Sequence, residues 1–199
     1  MKKLLALAAA AVLSVTAAFA ENQIHLGLAI PVQSLTIEDQ PKDIDCSVAG
    51  CDFAFDYTHI ARSGFTFKVG FDSGYISTTL DNSSKDYSGS NFAFGFGFGG
   101  SVIHDDRFTL SVLGSFGLDL FTVDPEISAF DDGLGILFYI GPEVTFTFKF
   151  ADHVGIFADL PLLYAAGTFC PPTPSSETTD SYTMSGVIVK PRLGVTFAF

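Results

Sequence analysis

The sequence predicts an all-β chain, an eight-stranded antiparallel up-and-down β-barrel that crosses a membrane, and three observations carry that prediction. First, the last thirteen residues alternate: Val187, Val189, Pro191, Leu193, Val195, Phe197 and Phe199 on one face, Ile188, Lys190, Arg192, Gly194, Thr196 and Ala198 on the other. A period of two makes this a strand with one face against hydrocarbon and the other against a wet interior. Second, a mean hydropathy of +0.39 with 16% charged residues is too apolar for a soluble domain of 199 residues. Yet after Ala20 no uninterrupted apolar run reaches the ~18 to 20 residues of a spanning helix. In lipid only helices and closed barrels satisfy every backbone polar group, which leaves the barrel. Third, the alternating segments number eight, joined by short turns and longer polar stretches in turn.

Residues 1–20 read as a secretory signal peptide, with Lys2 and Lys3, an apolar run from Leu4, and Ala18-Phe19-Ala20 as a small-x-small cleavage site before Glu21. The barrel is then expected over 21–199. Cleavage removes two bases and no acid, so the formal charge of −12 becomes −14, eight bases against 22 acids. That balance excludes nucleic acid and other polyanions as partners.

Each element follows from its alternation. The first strand, Gln23–Ser34, sets Ile24, Leu26, Leu28, Ile30 and Val32 against Gln23, His25, Gly27, Ala29 and Gln33. The second, Asp52–Ala61, sets Phe53, Phe55 and Tyr57 against Ala54, Asp56 and Thr58. The third, Phe65–Asp72, follows an Arg62-Ser63-Gly64 turn and opposes Phe65, Phe67, Val69 and Phe71 to Thr66, Lys68, Gly70 and Asp72. Asn91–Val102 is a ladder of Phe92, Phe94, Phe96 and Phe98 against Ala93 and glycines, and Phe108–Phe121 alternates Leu110, Val112, Phe116 and Leu118 with Thr109, Ser111, Leu113, Ser115 and Asp119. Leu134–Phe150, Val154–Tyr164 and the closing strand complete the eight. Pro31, Pro142, Pro161 and Pro191 fall inside predicted strands, where each removes a ladder donor and marks an expected bulge.

The polar stretches 35–51, 73–90, 122–133 and 165–181 are expected as long loops on one end, opposite the short turns. Short periplasmic turns and long external loops are the asymmetry of bacterial outer-membrane barrels, which puts both termini in the periplasm. The whole chain after residue 20 thus resembles the small eight-stranded outer-membrane barrels of the OmpA transmembrane-domain, OmpX and OmpW type. Phe199, preceded by Phe197 and further apolar residues at every second position, resembles the carboxy-terminal insertion signal of such barrels. The resemblance implies outer-membrane lipids and the barrel-assembly machinery as partners. It lies in topology and strand pattern, and such barrels include adhesins, channels, structural anchors and lipid A enzymes. A soluble lipocalin-like barrel is the rival fold, but it would expose the Gly/Ala/Thr face to water with few charges.

Several residue groups invite a chemical reading. Counted up from the turn end of each strand, Asp56, Lys68, Asp72, Glu143, Asp159, Lys190 and Arg192 fall at similar heights on the inward face. Opposite charges enclosed in so narrow a lumen must pair, which predicts a salt-bridged plug with Glu143 against Arg192 or Lys190. Above it the inward positions become Phe121, Leu137, Tyr139, Leu163, Met184 and Ile188, an expected apolar vestibule for a small hydrophobic molecule or a cap under the loops. Cys46 and Cys51 share one expected loop in an oxidising compartment and are the disulfide candidates, with Cys170 left over or pairing across the seam.

Gly95–Gly100 fits G-x-G-x-x-G, but Phe fills the alternate positions and no helix follows, so it reads as room for large side chains from facing strands. The loops carry 12 acids (Glu38, Asp39, Asp43, Asp45, Asp81, Asp86, Asp124, Glu126, Asp131, Asp132, Glu177, Asp180) against Lys42 and Lys85, suited to solvation or to bridging divalent cations. His25, His59, His104 and His153 all fall toward the turn end, away from where an outer-leaflet enzyme needs its acid–base group. They are too separated in sequence to predict a metal site. The expectation is therefore a non-enzymatic outer-membrane barrel with no cofactor, in a surface-interaction or structural role with an extracellular ligand as a further partner. A restricted channel or carrier for ions or small hydrophobic molecules is the alternative, and a lipid-modifying enzyme the remotest.

Overall fold

A computed structural model describes residues 21–38, 43–81, 86–124, 133–170 and 181–199. The expected signal peptide lies outside the described residues. Among these residues ten strands form one antiparallel sheet: β1 Glu21–Ala29, β2 Val32–Glu38, β3 Ile44–Ile60, β4 Phe65–Leu80, β5 Asp86–His104, β6 Phe108–Val123, β7 Gly133–Ala151, β8 Val154–Cys170, β9 Tyr182–Val189 and β10 Arg192–Ala198. There is no helix among the described residues.

The ten make a ring of eight, because β1–β2 and β9–β10 are each one crossing interrupted at Ile30-Pro31 and Lys190-Pro191. Both breaks are proline sites without an N–H, and they are neighbours: Ile30 N–H donates to the Pro191 carbonyl at 2.9 Å and Gly50 N–H to Pro31 at 3.1 Å. The ring closes where β1 pairs with β10, from Gln23 opposite Ala198 to Ala29 opposite Arg192. Asn22 and Phe199 exchange backbone hydrogen bonds of 3.0 and 2.9 Å at its end. Phe197 and Phe199 project outward from this closing strand.

Pro142 and Pro161 do not create bulges. They sit in β7 and β8, where ladder pairing lapses between Ile140–Tyr164 and Glu143–Pro161 while the register is kept. The two register shifts lie instead at Ser101/Ile103 and Lys149/Ala151, beside turns. The tight turn at 61–64 is closed by Gly64 N–H to the Ala61 carbonyl at 2.8 Å, with Gly64 at φ 84°, a left-handed conformation that suits a residue without a Cβ.

The expected loops are much shorter than the polarity pattern suggested. β3 to β8 run 16 to 19 residues each, against the ~9 to 11 that cross a bilayer. The physical reason is an inversion of sidedness. In the half of each crossing nearer the tight turns the apolar residues face out, as with Leu28, Phe55, Phe65, Phe94, Phe116, Ile140, Leu160 and Leu193. Farther from the turns the outward positions on several strands become Ser34, Thr36, Asp45, Ser47, Ser77, Thr79, Ser88 and Ser90, while Leu35, Ile37, Cys46, Val48, Ile76 and Met184 turn inward and are buried. The lower barrel is built for lipid outside and charge inside; the upper barrel has an apolar core inside and, on β2 to β5, a polar outer face, whereas β7 keeps Leu134, Ile136 and Phe138 outward.

Candidate functional site: the filled lumen

The lower lumen holds the predicted charge cluster, buried apart from a partly exposed Arg192. Lys68 on β4 lies 2.5 Å from Glu143, contacts Asp159, and stands 3.5 Å from Asp56. Arg192 on β10 donates Nη1 to Asp56 at 3.1 Å and Nη2 to Asp72 at 2.6 Å. Lys190 completes the chain at 3.4 Å from Asp72. Asp56 and Asp72 therefore link three cations into one network, and every cluster residue expected from the sequence takes part.

One pairing differs from expectation. The direct partner of Glu143 is Lys68, not Arg192 or Lys190, because strand tilt and stagger displace positions that look level when counted along the chain. Two further acids whose phase also points them inward join the cluster: Asp52 and Asp119, each 3.5 Å from Lys190. Asn91 donates to Asp52 at 2.7 Å and Gln33 to Asp119 at 3.1 Å, so neutral amides support the acids where cations are short.

The glycines of β4 and β5 make the space for this network, as their lumen placement implied. A Cβ on Gly70 would collide with the Asp56 carboxylate, one on Gly95 with the Tyr139 hydroxyl, and one on Gly97 would press on Leu113 at 3.1 Å and Ser115 at 3.2 Å. Ser115 in turn donates to Glu143 at 2.5 Å. A cavity of about 20 Å³ remains between the cluster and Tyr139, Leu163 and Ile188, room for a water or two.

Below the cluster, His25 stacks on Phe157 with centroids 4.4 Å apart, and Lys149 closes on Glu21 at 2.8 Å. Above it, Phe121, Leu137, Tyr139, Leu163, Met184 and Ile188 converge and pack on one another and on Leu35, Val48 and Phe169. They form a core and not an open vestibule. Phe121 stacks with Phe169 at 6.2 Å and also fills the space beside Gly135.

The expected disulfide does not form. Cys46 and Cys51 are five residues apart on β3, which at ~3.3 Å per residue separates them by far more than the ~4.4 to 6.8 Å a disulfide spans. Their odd spacing also sends Cys46 inward and Cys51 outward, and all three cysteines, Cys170 included, are free. Of the acidic residues expected in loops, Asp39, Glu126, Asp131, Asp132, Glu177 and Asp180 lie outside the described residues, as do Lys42 and Lys85. Asp45 and Asp86 instead sit on strands, accepting from Thr36 at 3.1 Å and Thr79 at 2.6 Å.

No protein-family model and no curated protein matches the sequence. Solved structures do match. The outer-membrane protein OprG from Pseudomonas aeruginosa is similar at TM-score 0.58 and 10% identity, over 91% of this chain and 96% of that one. The outer-membrane protein AlkL, solved in lipid bilayers, is similar at TM-score 0.52 and 13% identity, over 90% and 89%. The fold is that of the small bacterial outer-membrane β-barrels, and an apolar wall around a charged interior makes this a membrane barrel.

Proposed function

We propose that the protein is an integral barrel of the bacterial outer membrane that acts through its wall and its loop end, in surface interaction or as a structural element, without conducting solutes. The observation that carries this reading is the filled lumen. A continuous ion-paired network blocks the lower half, and a packed apolar core fills the upper half. Around that core β2 to β5 present Ser, Thr and Asp to water, a stiff platform above the bilayer on which an extracellular ligand or neighbouring molecule can be held. With the termini and tight turns in the periplasm, this platform faces the outside. The four histidines stay toward the opposite end, which supports a non-enzymatic role. Planar-bilayer recording of refolded protein tests the reading: no steady unitary conductance is expected, and a reproducible open channel would overturn it. Trimming the loop-end segments should then abolish surface binding while leaving the barrel folded.

A second reading, a carrier for small hydrophobic molecules, is favoured by one feature. The lapse in the ladder at Gly141-Pro142 lies beside the cavity lined by Tyr139, Leu163 and Ile188. A molecule entering the apolar core would be stopped by the charged floor and would need this weak point in the wall to leave. Retention of a hydrophobic fluorophore by wild type, and its loss in Leu137→Glu and Ile188→Glu, would support the carrier. Equal retention in all three would leave the core as packing alone.

A further inference from the structure

The lumen cluster is unbalanced. Among the described residues, Asp52, Asp56, Asp72, Asp119, Glu143 and Asp159 face Lys68, Lys190 and Arg192, six acids against three cations. Buried charge in excess is relieved by uptake of protons or of a counter-ion.

One place in the cluster offers the ligands. A ring nitrogen of His25 and one oxygen each of Asp56 and Asp159 lie within 4.8 Å of one another, all buried. His25 and Asp56 are direct cross-strand neighbours on β1 and β3, and Asp159 comes from β8 on the other side of the closing strand. Each residue has one polar atom engaged and one without a hydrogen-bond partner. His25 Nε2 meets Gln23 Oε1 at 3.0 Å, Asp56 Oδ1 accepts from Arg192, and Asp159 Oδ2 accepts from Lys68. The unpartnered atoms are His25 Nδ1, Asp56 Oδ2 and Asp159 Oδ1.

The histidine is also oriented as a ligand. Gln23 Nε2 donates to Glu21 at 2.6 Å, which turns its carbonyl oxygen toward His25, so Nε2–H must donate and the lone pair of the neutral ring is left on Nδ1. Lys149 anchors Glu21, and Phe157 holds the ring plane. A histidine whose second nitrogen donates to a carbonyl is the usual outer-shell arrangement of metal sites. The hydroxyls of Thr196, opposite His25, and Thr145, opposite Asp159, are buried without partners as well.

We propose that His25, Asp56 and Asp159 bind a divalent first-row transition-metal ion, with Zn²⁺ as the representative, and that the ion ties β1, β3 and β8 together across the barrel seam. Imidazole with two carboxylates suits this class of ion better than Mg²⁺ or Ca²⁺, which prefer oxygen alone. Bonds of about 2.0–2.2 Å to one ion draw the three side chains inward from their present spacing. Arg192 keeps Asp56 Oδ1, and Lys68 keeps Glu143 and Asp159 Oδ2, so the ion displaces only the 3.5 Å approach of Lys68 to Asp56.

The test is Zn²⁺ binding to the full chain refolded in detergent from metal-free denatured protein, with Co²⁺ absorption and X-ray absorption to read the ligands. Wild type should bind about one ion per chain with one nitrogen and carboxylate oxygens, unaffected by Mg²⁺, and His25→Gln should weaken binding at least about tenfold. Equal binding by His25→Gln, or ligation by several nitrogens, would place the ion elsewhere and overturn the site. No binding by wild type would overturn it equally. Should His25→Gln fail to fold, the coordination read from wild type still decides.

Discussion

Arg192 on the closing strand reaches Asp72 on β4 at 2.6 Å, across the width of β1 and β3 and a sequence separation of 120 residues. This pair holds the seam side of the barrel to the opposing wall, with Asp56 as its second anchor. Replacing Arg192 by Met leaves six buried acids facing two lysines. Breaking a buried pair by removing one partner costs about 3–5 kcal/mol. Arg192→Met is therefore expected to lower the urea midpoint of the heat-modifiable folded band strongly, and Asp72→Asn, which lightens the acid excess, much less.

Glu143→Ala should be milder than Arg192→Met. Lys68 loses one acid but keeps Asp159 and Asp56, and Ser115 loses its acceptor. A loss of about 1–3 kcal/mol is expected for the unsatisfied group, measured by the same unfolding curves. A loss as large as that of Arg192→Met would show that Glu143 alone neutralises Lys68.

The residues facing lipid or lumen in the lower barrel were legible because a period of two with one apolar face has a single reading there. Phe92 to Phe98, Asp56, Lys68 and Arg192 all point where alternation sends them. The upper barrel was not legible, since sidedness inverts: in the first crossing the apolar residues move from even positions, Ile24 to Val32, to odd ones, Leu35 and Ile37. A sequence whose apolar phase slips looks like a loop, although the backbone ladder runs on unchanged. Partner choice within the cluster was hidden for another reason, as strand stagger is a property of the closed ring. The approach of His25, Asp56 and Asp159 is likewise a product of closure, joining residues from the two ends of the chain.

All three cysteines should remain thiols in oxidised, refolded protein. Cys51 projects outward and Cys46 is buried in the upper core. A maleimide reagent is expected to modify Cys51 in the folded barrel and Cys46 only after unfolding. A Cys46–Cys51 cross-linked peptide in a non-reducing digest would contradict the extended course of β3.

The turn at 105–107 should be sensitive to acid. The Asp105 carboxylate accepts the amides of Arg107 at 2.9 Å and Phe108 at 2.7 Å, and these donors hold it below its ordinary range. A carboxyl lowered in the folded state contributes stability above its unfolded value of ~3.9 that is lost as pH falls through the folded value. Exchange protection of the Arg107 and Phe108 amides should thus persist at neutral pH and fade in strong acid. In Asp105→Ala it should be weak at every pH.

The inversion of sidedness along the barrel is tested most directly by nitroxide labels, placed one at a time on outward positions of protein in lipid bilayers. Labels at Leu28, Phe55, Phe65 and Phe94 are expected to collide with oxygen dissolved in the lipid, and labels at Ser47, Ser77, Ser88 and Ser185 with a water-soluble nickel chelate, with the change falling within a few residues on β3, β4 and β5. Lipid-type accessibility at Ser47 and Ser77 would contradict it, placing the whole length of β3 and β4 within the membrane.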